Sequence, residues 1–302
     1  MLSANALISR RCTLRAMSAA VVGAGMTGCA INPLPDLVPQ GLGLALTPQP
    51  LTDPAVFNFA LNLEYLEAEY YLRGVTGQGL DAADIGPSPR DVIGGRQVRF
   101  ETPEIRDFME EIASDERAHV QFLRTAIAGT PLVQSSRPGI DLQNAFRAAG
   151  EAAGLGANFD PFADEDSFLL GAFIFEDVGV TAYNYAAKLI AQDALLEAAA
   201  GILAVEAYHA GLIRAQIHSK GPELVRKADA ISAARDKLDG APVTEEPPGA
   251  TGKAIIAPAD ANGLAFKRTP QQVLNVVFLN PARNVHQGGF FPEGVNGVVK
   301  HS

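Results

Sequence analysis

The sequence predicts an all-α protein: a four-helix bundle with one long crossover, followed by a C-terminal appendage of helical and irregular segments. Three observations carry this. Four long segments place apolar residues at helical spacing, proline and glycine punctuate their ends, and each carries a glutamate at mid-height in line with the apolar residues.

Residues 1–30 read as an export signal, because Arg10, Arg11 and Arg15 precede a run of small and apolar residues from Ala16 to Met26 that is too short to span a bilayer. Ser9 to Arg15 resembles a twin-arginine signal, with Thr13 at the usual aromatic position. Met26-Thr27-Gly28-Cys29 resembles a lipoprotein cleavage box with Met26 in place of leucine, which leaves two outcomes open: a lipid anchor on Cys29, or simple cleavage near Ala30. The expected location is the periplasm, free or membrane-anchored. Residues 31–51 are rich in Pro, Leu and Gly without helical period and read as a linker.

The bundle is expected over residues 52–221. Asp53-Pro54 opens the first helix, which carries Phe57, Leu61, Ala68 and Tyr71 on one stripe and is expected to stop at Gly74. A loop dense in Gly and Pro follows to Glu101. Thr102-Pro103 opens the second helix, which runs to Ala128 with the stripe Ile105, Phe108, Met109, Ile112, Leu123 and Ile127. The stretch from Thr130 to Ala163, with a short helix around Leu142 to Ala153, is long enough to return the chain to the other end of the bundle. The third helix spans Asp164 to Ile190, and Asp193 is expected to cap the fourth, which Lys220-Gly221-Pro222 closes. That short connection makes the third and fourth helices antiparallel neighbours. Residues 222–302 form the appendage, with helices over Glu223–Leu238 and Gln271–Leu279 and a terminal segment, Gly288-Gly289-Phe290-Phe291-Pro292-Glu293-Gly294, expected to fold back on the bundle.

Composition removes several function classes. The net charge of −10 over 302 residues, with no basic stripe after the signal, argues against nucleic-acid partners. Both cysteines, Cys12 and Cys29, lie in the first thirty residues, so the folded body has no disulfide and no thiolate metal site. A metal there must be held by carboxylate and imidazole, donors that suit iron, manganese or zinc.

The stripes supply such donors. Glu64 stands in line with Leu61 and Ala68, Glu116 and His119 with Ile112 and Leu123, Glu176 with Phe173 and Val180, and Glu206 and His209 with Ile202 and Ile213. Ionised carboxylates inside a bundle cost several kcal/mol each unless cations answer them, and a pair of divalent ions balances four. Residues three apart share a helix face, so each Glu-x-x-His pair can serve one site. The ligands also repeat: Glu64 is followed by Tyr71 at the interval that separates Glu176 from Tyr183. Glu67 and Glu69 are assigned to a solvated face, with a third-metal or entry role as the alternative for Glu67. Asp115 and Asp177 point about 100° away from their neighbouring ligands and are assigned to the surface or to positions behind the ligands.

The order Glu, Glu-x-x-His, Glu, Glu-x-x-His resembles the ferritin-like superfamily, which includes bacterioferritins, rubrerythrins and manganese catalases. Leu61-Asn62-Leu63-Glu64-Tyr65-Leu66-Glu67-Ala68-Glu69-Tyr70-Tyr71, with Gly289 to Gly297, is similar to the plant desiccation-related proteins and their bacterial relatives. The resemblance covers nearly all the chain after Thr52. It implies Glu64 and Glu176 as terminal ligands, Glu116 and Glu206 as bridges between two transition-metal ions, iron or manganese, and His119 and His209 as completing ligands, with Tyr71 and Tyr183 orienting carboxylates from behind. The partners implied are metal ions with oxygen or peroxide, and a homo-oligomer is compatible with them. Redox chemistry on oxygen or peroxide, of catalase or peroxidase type, leads the expected functions; metal storage and a non-catalytic role in desiccation or stress are the alternatives.

Overall fold

A computed structural model describes residues 51–130, 135–240, 247–250 and 252–302, so the export signal, Cys29 and nearly all of the linker lie outside the described residues. Helix α1 covers Asp53–Thr76, with Pro54 in its first turn, where a missing amide donor does no harm. It does not stop at Gly74. That glycine is helical and serves packing, since a Cβ there would stand 2.2 Å from the Phe168 ring, and the helix ends instead at Gly77, whose φ of 79° suits a residue without a side chain. Helix α2, Pro103–Ala126, packs along α1. The crossover then carries α3, Asn144–Ala152, and a two-residue parallel pairing of β1, Val92–Ile93, with β2, Ile140–Asp141, which ties it to the loop after α1.

Helix α4, Glu165–Ala186, is capped by Asp164, whose carboxylate accepts from the Ser167 amide at 2.7 Å. Its last turn tightens into a 3-10 helix, Ala187–Leu189, so the expected continuous helix to Ile190 is two pieces. Helix α5, Asp193–Ser219, packs along α4. Asp193 does not cap it. Asp53, from the first turn of α1, accepts from the amides of Ala191 and Gln192 at 2.8 and 2.9 Å and ties that helix start to the bundle. Glu165, from the first turn of α4, does the same before α2, accepting from the Glu101 and Thr102 amides at 2.9 and 2.8 Å. The two halves of the bundle thus brace each other's helix starts in the same way.

Helices α6, Pro222–Asp239, and α7, Pro270–Val277, complete the helical set of the described residues, the latter opened by a capping box between Thr269 and Gln272. The C-terminal segment returns to α1, where Asn62 and Asn296 exchange two hydrogen bonds, 3.1 and 2.8 Å, and Phe290 lies fully buried between Phe146 and Phe175.

Candidate metal centre

Six buried donors converge at mid-bundle. Glu64, Glu116, His119 and Glu206 each place one ligand atom within 4.8 Å of the others, and Glu116, Glu176 and His209 form a second such group that shares Glu116 with the first. His119 Nδ1 lies 3.2 Å from Glu64 Oε2, 3.5 Å from Glu116 Oε2 and 3.6 Å from Glu206 Oε1. His209 Nδ1 lies 3.1 Å from Glu116 Oε1 and 3.7 Å from Glu176 Oε2. Both imidazoles therefore present the same nitrogen to the carboxylates.

Whether this set suits cations can be read from hydrogen bonding. Buried polar atoms normally find partners. Here both oxygens of Glu116, both of Glu206, Oε2 of Glu176 and Nδ1 of His209 are buried without a hydrogen bond. All of them belong to residues of the two donor groups, and their chemistry is that of hard cation ligands. The residues fit a metal centre.

The protonation pattern has the same origin. Burial, opposed by His119 and reinforced by Glu116, pushes Glu64 up to about 7. Burial, opposed by His209 and again reinforced by Glu116, pushes Glu176 up to about 8. Burial pushes Glu206 well above the carboxylate range, with the Glu116 and Glu67 charges adding to it. Burial works on Glu116 in the same direction, but the two adjoining imidazoles outweigh it and hold this carboxylate below the usual range. The imidazoles move the other way. Burial pulls His119 down, yet Glu64 and Glu116 raise it to about 11, while Glu176, Glu116 and Asp115 raise His209 to about 9.

The tyrosines cross over. Tyr71 of α1 donates to Glu176 of α4, and Tyr183 of α4 donates to Glu64 of α1. Each carboxylate is thereby oriented from the opposite helix. Asp115 stands behind the site, its Oδ2 3.2 Å from His209 Nε2, which leaves Nδ1 free to face the carboxylates.

Residues 52–219 match the ferritin-like domain family. The chain belongs to that family. The ferritin-like protein is also 32% identical over 250 residues to a desiccation-related protein of Craterostigma plantagineum, covering 74% of this chain and 77% of the relative. It is 26% identical over 272 residues to a ferritin-like catalase of Nesocodon mauritianus, covering 82% and 84% of the two chains.

Three assignments change within the ferritin-like bundle. Glu67 is not on a solvated face: it is 5% exposed, and its carboxylate shares the space beside Gly179 with that of Glu206. Glu69 is also buried, paired with Arg73 at 2.8 Å and with Arg137. Asp177 neither touches the centre nor reaches the surface. It accepts from Arg214 at 2.8 Å and from Arg235 of α6 at 2.9 Å, and these guanidinium groups outweigh the effect of burial and hold its carboxyl below the usual range. Gly179 was absent from the sequence reading. A Cβ there would stand 2.1 Å from Glu206 Oε2, so the glycine makes room for that carboxylate. Its signal is a mid-helix glycine, which costs about 1 kcal/mol relative to alanine and so points to a packing reason.

Proposed function

We propose that this ferritin-like protein is exported, binds two iron or manganese ions between Glu64, Glu116, His119, Glu176, Glu206 and His209, and carries out stress-related redox chemistry on dioxygen or peroxide. The observation that carries the reading is the set of six buried carboxylate and imidazole atoms that meet without hydrogen-bond partners. The likeness to a ferritin-like catalase supports peroxide as the substrate, and the likeness to a desiccation-related protein supports the setting of stress.

The chain's own residues would do the following. Glu116, common to both donor groups, would bridge. Glu64 and Glu176 would bind with their orientation held by Tyr183 and Tyr71. Asp115 would fix the His209 tautomer, Nε2 protonated and Nδ1 toward the site. The buried apolar residues around the set would exclude water and so strengthen every charge interaction within it. When bound, a pair of redox-active ions supplies the electrons and open positions that oxygen or peroxide reduction needs. Export rests on the charge and hydropathy pattern of residues 1–30, with Cys29 as the site of a lipid anchor or Ala30 near the cleavage point.

Elemental analysis of the natively purified protein is the test. Two transition-metal ions per chain are expected in wild type, none in His119→Ala/His209→Ala, and unchanged helicity in both. Fewer than one ion per chain, even after reconstitution, overturns the site. Peroxide disproportionation by the manganese-loaded protein is expected; a large hollow particle in size exclusion would mark storage instead, and a loaded, folded protein without turnover a structural role.

A further inference from the structure

The donor set obeys an internal two-fold repeat, and one residue breaks it. Asp53, Glu64 and Tyr71 of α1 recur at identical intervals as Glu165, Glu176 and Tyr183 of α4. In the same manner Glu116 and His119 of α2 recur as Glu206 and His209 of α5, each glutamate fifteen residues after the amide pair's first member, Glu101 or Ala191. Three residues beyond Glu64 stands Glu67. Three residues beyond Glu176 stands Gly179.

The exchange of glutamate for glycine has a geometric counterpart. A Cβ on Gly179 would lie 2.1 Å from Glu206 Oε2 and 3.5 Å from Glu67 Oε1, so both carboxylates lean into the room that the missing side chain leaves. Glu67 is 5% exposed, and no described residue donates a hydrogen bond to it or pairs with it. Its other neighbours form a small apolar cavity of about 20 Å³, lined by Leu63, Val178, Val276 and Phe290, with Glu67 as its one ionisable wall among the described residues. A buried carboxylate with no internal partner is costly. The two-fold set is complete without it, so symmetry does not explain its presence.

We propose that Glu67 is a seventh donor of the metal centre, binding on the side of Glu64, His119 and Glu206 and making the two metal positions unequal. Glu64 and Glu206 both belong to the His119 group, and neither belongs to the His209 group. Glu67, one helical turn after Glu64 and beside Glu206, stands next to two carboxylates of the first group, so as a ligand it would add its donor there. That position takes a harder, more anionic donor set, suited to an ion of higher charge. Glu67 lies outside the atoms that already close to 4.8 Å, so it would reach the ion by a side-chain rotation from the space it occupies beside Gly179 toward Glu64 and His119.

This inference rests on the di-metal reading, and titration of the metal-free full chain with Mn2+ tests both separately. Wild type is expected to bind two Mn2+ in two resolved steps. Glu67→Gln, which keeps the side-chain volume, is expected to weaken one step by roughly ten- to a hundredfold and leave the other within about twofold. Gly179→Ala, a substitution that favours the helix, should weaken the same step by displacing Glu206 and closing the space for Glu67. Manganese paramagnetic resonance is expected to show a change in the coupled pair of Glu67→Gln. Unchanged affinities and spectra in Glu67→Gln overturn the proposal while leaving the six-residue site standing. No Mn2+ binding by wild type overturns both.

Discussion

Glu116 is the residue on which the centre turns, because it alone belongs to both donor groups and both imidazoles reach it. Without cations, its charge is answered by protons on His119 and His209, raised to about 11 and about 9. Both imidazoles are therefore protonated in the metal-free protein at neutral pH, and Glu64 and Glu176, at about 7 and about 8, hold part of a proton each. Ligands must give up these protons to bind. Lowering pH adds protons to the free site and none to the loaded one, so affinity falls as pH falls. Calorimetry with Mn2+ at pH 8 and pH 6 is expected to show binding weaker at pH 6 by about tenfold per unit for each proton displaced, with proton release that scales with buffer ionisation enthalpy. The six converging donors were legible as single residues because a carboxylate in an apolar stripe is an exception to the pattern around it. The burial of Glu67 was not legible, and a role near the metals stood only as the alternative to a solvated face. A stripe reading assumes one buried face per helix, whereas α1 is buried on every side from Val56 to Tyr71.

The four bundle helices act as two interlocked pairs. Asp53 and Glu165 brace the partner half's helix starts, and Tyr71 and Tyr183 exchange donors across the site. The repeat of Glu and Tyr is visible in the chain, but the crossing of the tyrosines is not, since interval says nothing about which carboxylate a hydroxyl reaches. Asp177 adds a third link, joining α4, α5 and α6 through Arg214 and Arg235. Removing one member of a buried ion pair costs about 3–5 kcal/mol. Asp177→Ala is expected to lower stability by that order in thermal or denaturant unfolding. Because its folded pKa is depressed, its contribution is complete above the unfolded value of about 3.9 and disappears as pH falls through the folded value. The gap between wild type and variant should be constant from about pH 5 to 8 and close in acid. A gap that grows in acid would refute the assignment of its charge.

At the scale of the molecule, the appendage makes α1 and α4 inner helices. Arg235 donates to Phe173 O and covers the Phe173 ring at 4.3 Å, Arg268 joins Asp239 at 2.8 Å and the Thr181 carbonyl, and the Phe290 ring closes over Phe146 and Phe175. Phe290→Ala leaves a cavity in this layer and is expected to cost about 3–5 kcal/mol, measured by chemical denaturation. An unchanged midpoint would mean that the tail does not contribute to the core. The amino-acid sequence by itself determined the helical class, the order of the four helices and the six acidic and imidazole residues that point into the bundle, because all of these are written in local periodicity and in the cost of charge on an apolar stripe. Tertiary structure decided what periodicity cannot carry: the pairing of Tyr71 with Glu176 and Tyr183 with Glu64, the burial of Glu67, and the inward turn of Asp177. Each depends on which helix lies across from which, and that is set by long-range packing.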